Sequence, residues 1–280
     1  MELSEATALA DRFITSVIFK VHSLPINERS ENAATWWRNQ GSRIPLRPAL
    51  EEQRRHLSTF ASRRRSERRS DRQIFLTISA VVEDDGRGHC PALVGNLCGI
   101  YDMRPLTCRT VPMHYSRPPS VLRDYLDRFA STPGYGCDIT QTAPAILDGN
   151  RIVDPAIGQL RDEAVRIAKG ERAWKEHILL LMDDVEQARA AQLPTYDAVL
   201  AQSDNGYATS LPMIVAWRVA RKQGLLSADM FEELCRKQAS LIKVDMARER
   251  EGPAATGRLE TLALYEAELR SMKPGRSLHA

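Results

Sequence analysis

Four of the five cysteines lie in one short part of the chain, in the order Cys90, Cys98, Cys108 and Cys137, with 7, 9 and 28 residues between them. Thiolates are the preferred protein ligands of zinc and of iron–sulfur clusters. The segment is rich in proline, glycine and turn residues, so apolar packing alone would hold it poorly. We therefore predict that these four cysteines are ligands of a metal ion or cluster.

The spacing of these cysteines bears on which centre they would hold. Structural zinc sites usually contain paired C-x2-C turns, and the segment has no such pair. A cluster is wider than a single ion and accepts ligands from more scattered positions, so the spacing favours iron–sulfur, with [4Fe–4S] preferred, and leaves zinc open. Two other interpretations stay open from spacing alone: ordinary buried thiols, and cysteines with a redox or catalytic use.

The segment CPALVGNLCGIYDMRPLTCRTVP resembles the YkgJ-type cysteine-cluster family, described as a zinc- or iron-chelating domain. The match covers the part of the chain from Cys90 to Pro112, and these positions fit the family pattern: Cys90, Leu93, Cys98, Ile100, Tyr101, Arg104, Pro105, Cys108, Arg109 and Pro112. The resemblance implies that Cys90, Cys98 and Cys108 are metal or cluster ligands, with Cys137 as a fourth.

The sequence departs from the family pattern at its beginning. Family members usually carry a further Cys-rich motif just before a first helix that is similar to LSEATALADRF, whereas this sequence has no cysteine before Cys90. Either this branch has lost those ligands or Met1 lies inside a longer natural reading frame, and our hypothesis is the second. Flagellin lysine-N-methylases resemble the same family, so the second hypothesis is a protein-modifying enzyme that uses S-adenosylmethionine.

Two arginines flank Cys108 and match the family motif. Positive charge beside thiolates lowers their pKa and offsets the negative charge of a ligated centre. We therefore assign Arg104 and Arg109 to binding of the centre, with ion pairing to Asp102 as the equal alternative. Two histidines of the segment are weaker ligand candidates, and the second is preferred: His89 and His114. The fifth cysteine, Cys235, is expected on the apolar face of a helix.

A basic run from Arg54 to Arg72 holds eight arginines against Glu67 and Asp71. Clustered arginines can follow phosphates, which gives a third hypothesis, a zinc-dependent nucleic-acid binder. Aromatic residues are scarce in the run, so a solvated helix face or an acidic protein partner is favoured over nucleic acid.

The composition is that of an ordinary soluble protein. The chain has 280 residues, of which 43% are hydrophobic and 27% charged, and its net charge is +3. We find no signal peptide and no apolar run long enough for a membrane span, so we expect a cytoplasmic protein that acts without a membrane. Glycine-rich nucleotide motifs, H-E-x-x-H and G-x-S-x-G are absent. The predicted partners are the metal centre and a protein substrate or redox partner.

The hydrophobic pattern predicts a mainly α fold with a small β-hairpin. We expect a helix over 4–22, and a strand over 73–82 that pairs with 97–101 and carries the first two cysteines. From residue 155 onward the pattern is helical, and the predicted helices are 155–169, 171–191, 195–202, 210–222, 227–247 and 256–271. The loop-rich cysteine region is therefore followed by a C-terminal helical bundle, with predicted domains 1–145 and 146–280.

Overall fold

The computed structural model describes residues 1–40, 44–64, 71–84, 89–95, 97–132, 140, 142–251 and 258–271. These residues form twelve α-helices: α1 Leu3–Ala8, α2 Ala33–Gln40, α3 Leu46–Leu57, α4 Leu106–Arg109, α5 Leu122–Ala130, α6 Pro155–Gly170, α7 Arg172–Met182, α8 Val185–Ala191, α9 Tyr196–Gln202, α10 Met213–Lys222, α11 Ala228–Glu251 and α12 Arg258–Ser271. The strands are β1 Thr15–Pro25, β2 Ser62–Arg64, β3 Arg72–Val82, β4 Leu93–Val94, β5 Leu97–Cys98, β6 Leu147–Asp148, β7 Arg151–Ile152 and β8 Gly206–Pro212. The mainly α class is confirmed.

A four-stranded antiparallel sheet, in the order β2-β3-β1-β8, lies at the centre of the molecule. The long strands β1 and β3 pair along their whole length, from Thr15 with Val82 to Pro25 with Arg72. On the other side of β1, pairing with β8 runs from Ser16 with Pro212 to Val21 with Gly206. The sheet therefore joins strands that are almost two hundred residues apart in sequence.

The predicted helix over 4–22 is wrong, because the helix ends at Ala8 and β1 begins at Thr15. The apolar residues in this stretch fit both the helical period of about 3.6 residues and the strand period of 2 residues. The sheet prevails because Val17, Phe19 and Val21 alternate onto its buried face, where β-branched and aromatic side chains pack well.

The predicted hairpin between 73–82 and 97–101 is also wrong. Strand β3 does form, but its neighbours are β1 and β2. Leu97 and Cys98 pair instead with Val94 and Leu93, in a two-stranded hairpin of their own. The error arose because residues 15–22, which form most of β1, were assigned to the predicted first helix, so the true partner of β3 was not considered.

The helical character of the C-terminal half is confirmed, with two changes. The stretch predicted as one helix over 171–191 is α7 followed by α8, because the Asp184 carboxylate accepts a 2.8 Å hydrogen bond from the Gln187 amide and starts a new helix. The stretch over 210–222 begins with the end of β8, and its helix starts at Met213 after Pro212.

The largest core lies between the sheet and the C-terminal helices. It contains Phe19 of β1, Ile78 of β3, Trp217 of α10 and Leu234 of α11, all buried. Each such side chain stabilises the fold by about 1.5–3 kcal/mol relative to an exposed one.

The predicted domain boundary at 145/146 stays a prediction, and residues from both sides of it share this core. Among the described residues, no helix is both long and apolar enough to cross a membrane.

Candidate metal centre and adjoining cleft

Cys90 and Cys98 lie at the two ends of the hairpin formed by β4 and β5. Cys98 pairs with Leu93, whose amide donates to the Cys90 carbonyl at 3.1 Å. Gly95 has a φ of +61°, a left-handed conformation that glycine adopts without strain. A Cβ on Gly99 would lie 2.8 Å from Val94 Cγ2, so only glycine fits beside Cys98 without a shift.

Cys108 lies in the short helix α4, which is fixed to the N-terminal helix. The Leu106 amide, at the first position of α4, donates to Glu5 Oε1 at 2.6 Å. A carboxylate at a helix N-terminus satisfies a free amide and interacts favourably with the helix dipole. At the other end, Thr110 donates its hydroxyl proton to the Leu106 carbonyl at 2.7 Å. The position of Cys108 therefore depends on α1.

The three described cysteines of the segment, Cys90, Cys98 and Cys108, are free thiols. Partial burial raises the pKa of the Cys108 thiol, and nearby charge on Cys90 and Cys98 raises it further, while the Met1 amino group acts in the opposite direction. Within the described ranges, no three His, Cys, Asp or Glu side chains are gathered closely enough to hold one metal ion. Cys137 lies outside the described residues.

Of the two arginines assigned to the centre, Arg104 is held by its own turn. Its guanidinium lies 3.7 Å from the centroid of the Tyr101 ring, and its Nε donates to the Tyr101 carbonyl at 3.2 Å. This cation–π contact takes the place of the alternative ion pair with Asp102. Arg109 is exposed in the last turn of α4.

His114, the preferred histidine candidate, has a defined tautomer. The Ser116 amide donates to its Nδ1 at 3.1 Å, and the Ser116 hydroxyl lies 2.7 Å from the same atom. Nδ1 is therefore an acceptor, and the ring proton is on Nε2. Burial lowers the pKa of His114 to about 3, so the ring is neutral near pH 7. Ligation by His89 or His114 stays a prediction.

A cleft of about 150 Å³ adjoins α4, and Thr107, the neighbour of Cys108, lines it. Four buried polar side chains lie at or behind this cleft: Glu2, Tyr115, Glu171 and Lys175. The Lys175 ammonium contacts the Glu2 carboxylate directly and lies 3.2 Å from Glu171 Oε2. The Tyr115 hydroxyl donates to the other Glu2 oxygen.

The same network fixes the N-terminal helix to the start of α7. Glu171 accepts hydrogen bonds from the amides of Leu3 at 2.9 Å and Ser4 at 2.7 Å. Burial acts to raise the pKa of Glu171, but Lys175 and these amides outweigh it, so the pKa is lowered. The sequence did not predict this network, because Lys175 is one of several polar residues of α7, RAWKEHILLLM, together with Arg172, Glu176 and His177.

The basic run is partly used inside the molecule. The Arg54 guanidinium donates to the carbonyls of Pro25, at 2.6 Å, and Ile26. Arg64 lies 3.0 Å from Glu176 and 3.6 Å from Asp183. Residues 65–70 lie outside the described residues. At least two of the eight arginines therefore serve the fold.

Cys235 is half-buried on α11 and packs against the main core, as its place in the helical pattern predicts. Burial raises the pKa of its thiol to about 11. This thiol is therefore protonated near neutral pH and is poorly suited to react as a nucleophile.

No protein family, curated protein sequence or solved structure matches this chain.

Proposed function

We propose that this protein binds a metal ion or an iron–sulfur cluster through the thiolates of Cys90, Cys98 and Cys108, with Cys137 as a fourth ligand. The observation that supports the proposal most directly is that Cys90, Cys98 and Cys108 are all free thiols and are carried by two consecutive elements, the β4–β5 hairpin and α4. The resemblance of the segment to YkgJ-type zinc- or iron-chelating domains supports the same donor set.

The chemistry of these thiols suits a cationic centre. Burial and, to a smaller extent, the charges of Cys90 and Cys98 raise the pKa of the Cys108 thiol, and a bound cation offsets this rise because ligand thiols lose their protons on binding. Soft sulfur donors select zinc or iron–sulfur over hard cations. A [4Fe–4S] cluster is our first choice and zinc the second. Arg104 and Arg109 would offset the negative charge of such a centre.

The exposed apolar side chains of the β4–β5 hairpin also support a cross-link at this place. Leu93, Val94 and Leu97 are 47%, 73% and 77% exposed, so packing contributes little to holding the hairpin. A centre that joins the hairpin to α4 would supply the missing stabilisation. The centre would then either stabilise the fold or act in redox or Lewis-acid chemistry. In the second case the proposed cytoplasmic protein would have a redox partner or a protein substrate.

The test is metal analysis and a visible absorption spectrum of protein purified without oxygen. Three proteins are compared: the natural chain, a Cys98→Ser/Cys108→Ser double variant, and a Cys235→Ser variant as the matched control. Iron with labile sulfide, or one zinc ion, present in the natural chain and the control but absent from the double variant, supports the proposal and identifies the centre. Absence of metal from the natural chain, or full retention in the double variant, would refute it.

The two other hypotheses stay predictions. The methylase hypothesis is tested by incubation with S-adenosylmethionine and lysine-bearing proteins, where absence of both binding and methyl transfer eliminates it. The nucleic-acid hypothesis is tested by the salt dependence of retention on DNA or RNA, which should be steep if phosphate contacts contribute.

A further inference from the structure

A second cleft, of about 190 Å³, continues from the first one along the face of β1. The two clefts share the side chains of Lys20, His22 and Ser116. The second cleft is lined mainly by polar groups, and two of its lining residues are cations, Lys20 and Arg117. None of the described cysteines lines this cleft, and the cleft does not depend on the proposed metal centre.

Among the described residues, the two cations have no compensating carboxylate. In the part of the chain that the structure describes, neither Lys20 nor Arg117 forms an ion pair with an acid; each lies over an aromatic ring instead. The Lys20 ammonium is 5.0 Å from the Tyr207 centroid, and the Arg117 guanidinium is 3.5 Å from the Tyr125 centroid. Burial lowers the pKa of Lys20, and Arg117 lowers it further, so the two charges repel each other in a partly desolvated place.

The acid that lines the adjoining cleft is already occupied. Glu2 is the carboxylate among the described residues that line either cleft, and it is bound by Lys175 and Tyr115. It therefore does not neutralise Lys20 or Arg117. Groups that stay buried without their counter-charge cost folding free energy, and a ligand that supplies the charge recovers it.

Neutral hydrogen-bonding groups complete the lining. Burial and Lys20 lower the pKa of His22 to about 3, so its ring is neutral, with Nε2 3.3 Å from Thr77 Oγ1. Asn205 accepts the Ser23 amide through Oδ1 at 3.3 Å, which makes its amide nitrogen the group left to donate. Such donors beside two cations match the needs of an oxyanion.

The loop that carries Arg117 is held in place by a buried arginine of α6. The Arg161 guanidinium donates to the carbonyls of Met113 at 2.6 Å, His114 at 2.7 Å and Arg117 at 3.0 Å. Three such bonds fix the backbone at Arg117, and a fixed cation needs less ordering when a ligand binds.

We propose that this cleft binds the oxyanion group of a small molecule, a phosphate or a carboxylate, between Lys20 and Arg117. The adjoining cleft extends from this site towards Thr107 beside Cys108, so the remainder of such a molecule would point towards the cysteine segment.

The test is calorimetric titration of the full chain with two probes at low ionic strength, inorganic phosphate and acetate. The variants are Lys20→Met and Arg117→Gln, and the matched controls are Lys222→Met and Arg47→Gln, which make the same charge changes at exposed positions. We expect at least one probe to bind, and its Kd to rise about tenfold in each cleft variant but to stay unchanged in the controls.

Either probe suffices for support, and the tighter one identifies the chemical class. The proposal is overturned if neither phosphate nor acetate binds the natural chain, or if both cleft variants bind as well as their controls do. Because Lys20 lies in β1, its substitution could disturb the sheet; thermal melting of both variants shows this, and Arg117→Gln, in a loop, then decides alone.

Discussion

Glu5 accepts a 2.6 Å hydrogen bond from the backbone amide of Leu106, the first residue of the helix that carries Cys108. The other oxygen of the same carboxylate accepts the Glu2 amide at 2.8 Å, within the capping box of α1. One side chain therefore caps the N-termini of both α1 and α4. Glu5 and its partner Leu106 are 101 residues apart in sequence. The N-terminal helix and the cysteine segment form one structural unit through this contact.

Replacing Glu5 with alanine should remove both caps. We expect the free energy of unfolding to fall by about 1–2 kcal/mol, the usual cost of a lost N-cap. The measurement is urea denaturation followed by circular dichroism. Asp11→Ala, an exposed acid of the same segment, is the control and should change stability by no more than about 0.5 kcal/mol. Equal effects of the two substitutions would show that neither the contact with Glu2 nor the contact with Leu106 contributes to stability.

Replacing Lys175 with methionine should be more damaging. The substitution keeps the length of the side chain but leaves the carboxylates of Glu2 and Glu171 buried without their shared cation. Loss of one partner from a buried ion pair costs about 3–5 kcal/mol. The exposed Lys169→Met is the matched control. Denaturation midpoints of the two variants that coincide would contradict the buried network.

Two glycine-to-alanine substitutions should act in opposite directions. At Gly99 the new Cβ would lie 2.8 Å from Val94 Cγ2 and 3.2 Å from the Ala92 carbonyl, so the β4–β5 hairpin must shift, at a cost of about 1–3 kcal/mol. At Gly158, inside α6, nothing lies within 4 Å, and alanine should stabilise the protein by about 0.5–1 kcal/mol. Thermal unfolding of both variants tests these two expectations. A Gly99→Ala protein that is more stable than the natural chain would contradict the predicted clash in the hairpin.

The buried His22 predicts a definite pH dependence. Its pKa is lowered from 6.5 to about 3 in the folded protein, so below pH 6.5 the unfolded chain takes up a proton that the folded protein does not. Stability is unaffected above pH 6.5 and falls by about 1.4 kcal/mol for each pH unit below it, until the folded pKa is reached. His22→Gln should remove this part of the acid sensitivity.

The measurement is the free energy of unfolding of both proteins from neutral pH down to about pH 4.5, roughly two units below the ordinary histidine pKa. The difference between natural chain and variant should be constant above pH 6.5 and should shift in favour of the variant below it. Parallel profiles across the whole range would show that His22 in the folded protein takes up its proton at the ordinary histidine pKa, which would contradict the prediction.

The helices of the C-terminal half were predictable because the apolar residues within each one recur at helical spacing. In α11, Phe231, Leu234, Ile242 and Met246 recur at helical spacing, and all four are buried. The strand β1 was not predictable in this way. Its apolar residues also fit a helix, and its two partners lie at residues 72–82 and 206–212, so only long-range pairing decides its structure.

The candidate site shows the same division. The cysteine motif is local in sequence, so its residue types and spacing are enough to propose Cys90, Cys98 and Cys108 as ligands, and this assignment stays a prediction. The contact between Glu2 and Lys175 spans 173 residues, and a charged residue in a sequence is expected to be exposed until its partner is known. The same holds for the cleft of Lys20 and Arg117, which the fold brings together from β1 and a loop.

The position of β1 between an early and a late partner affects synthesis on the ribosome. Its pairing with β3 can form once residue 82 has emerged, but its other edge has no strand to pair with until residues 206–212 follow. During that interval the nascent chain presents an open strand edge and the apolar face that the late helices will cover, which is the situation that invites aggregation. We therefore expect the protein to need chaperones more during translation than during refolding of the finished chain.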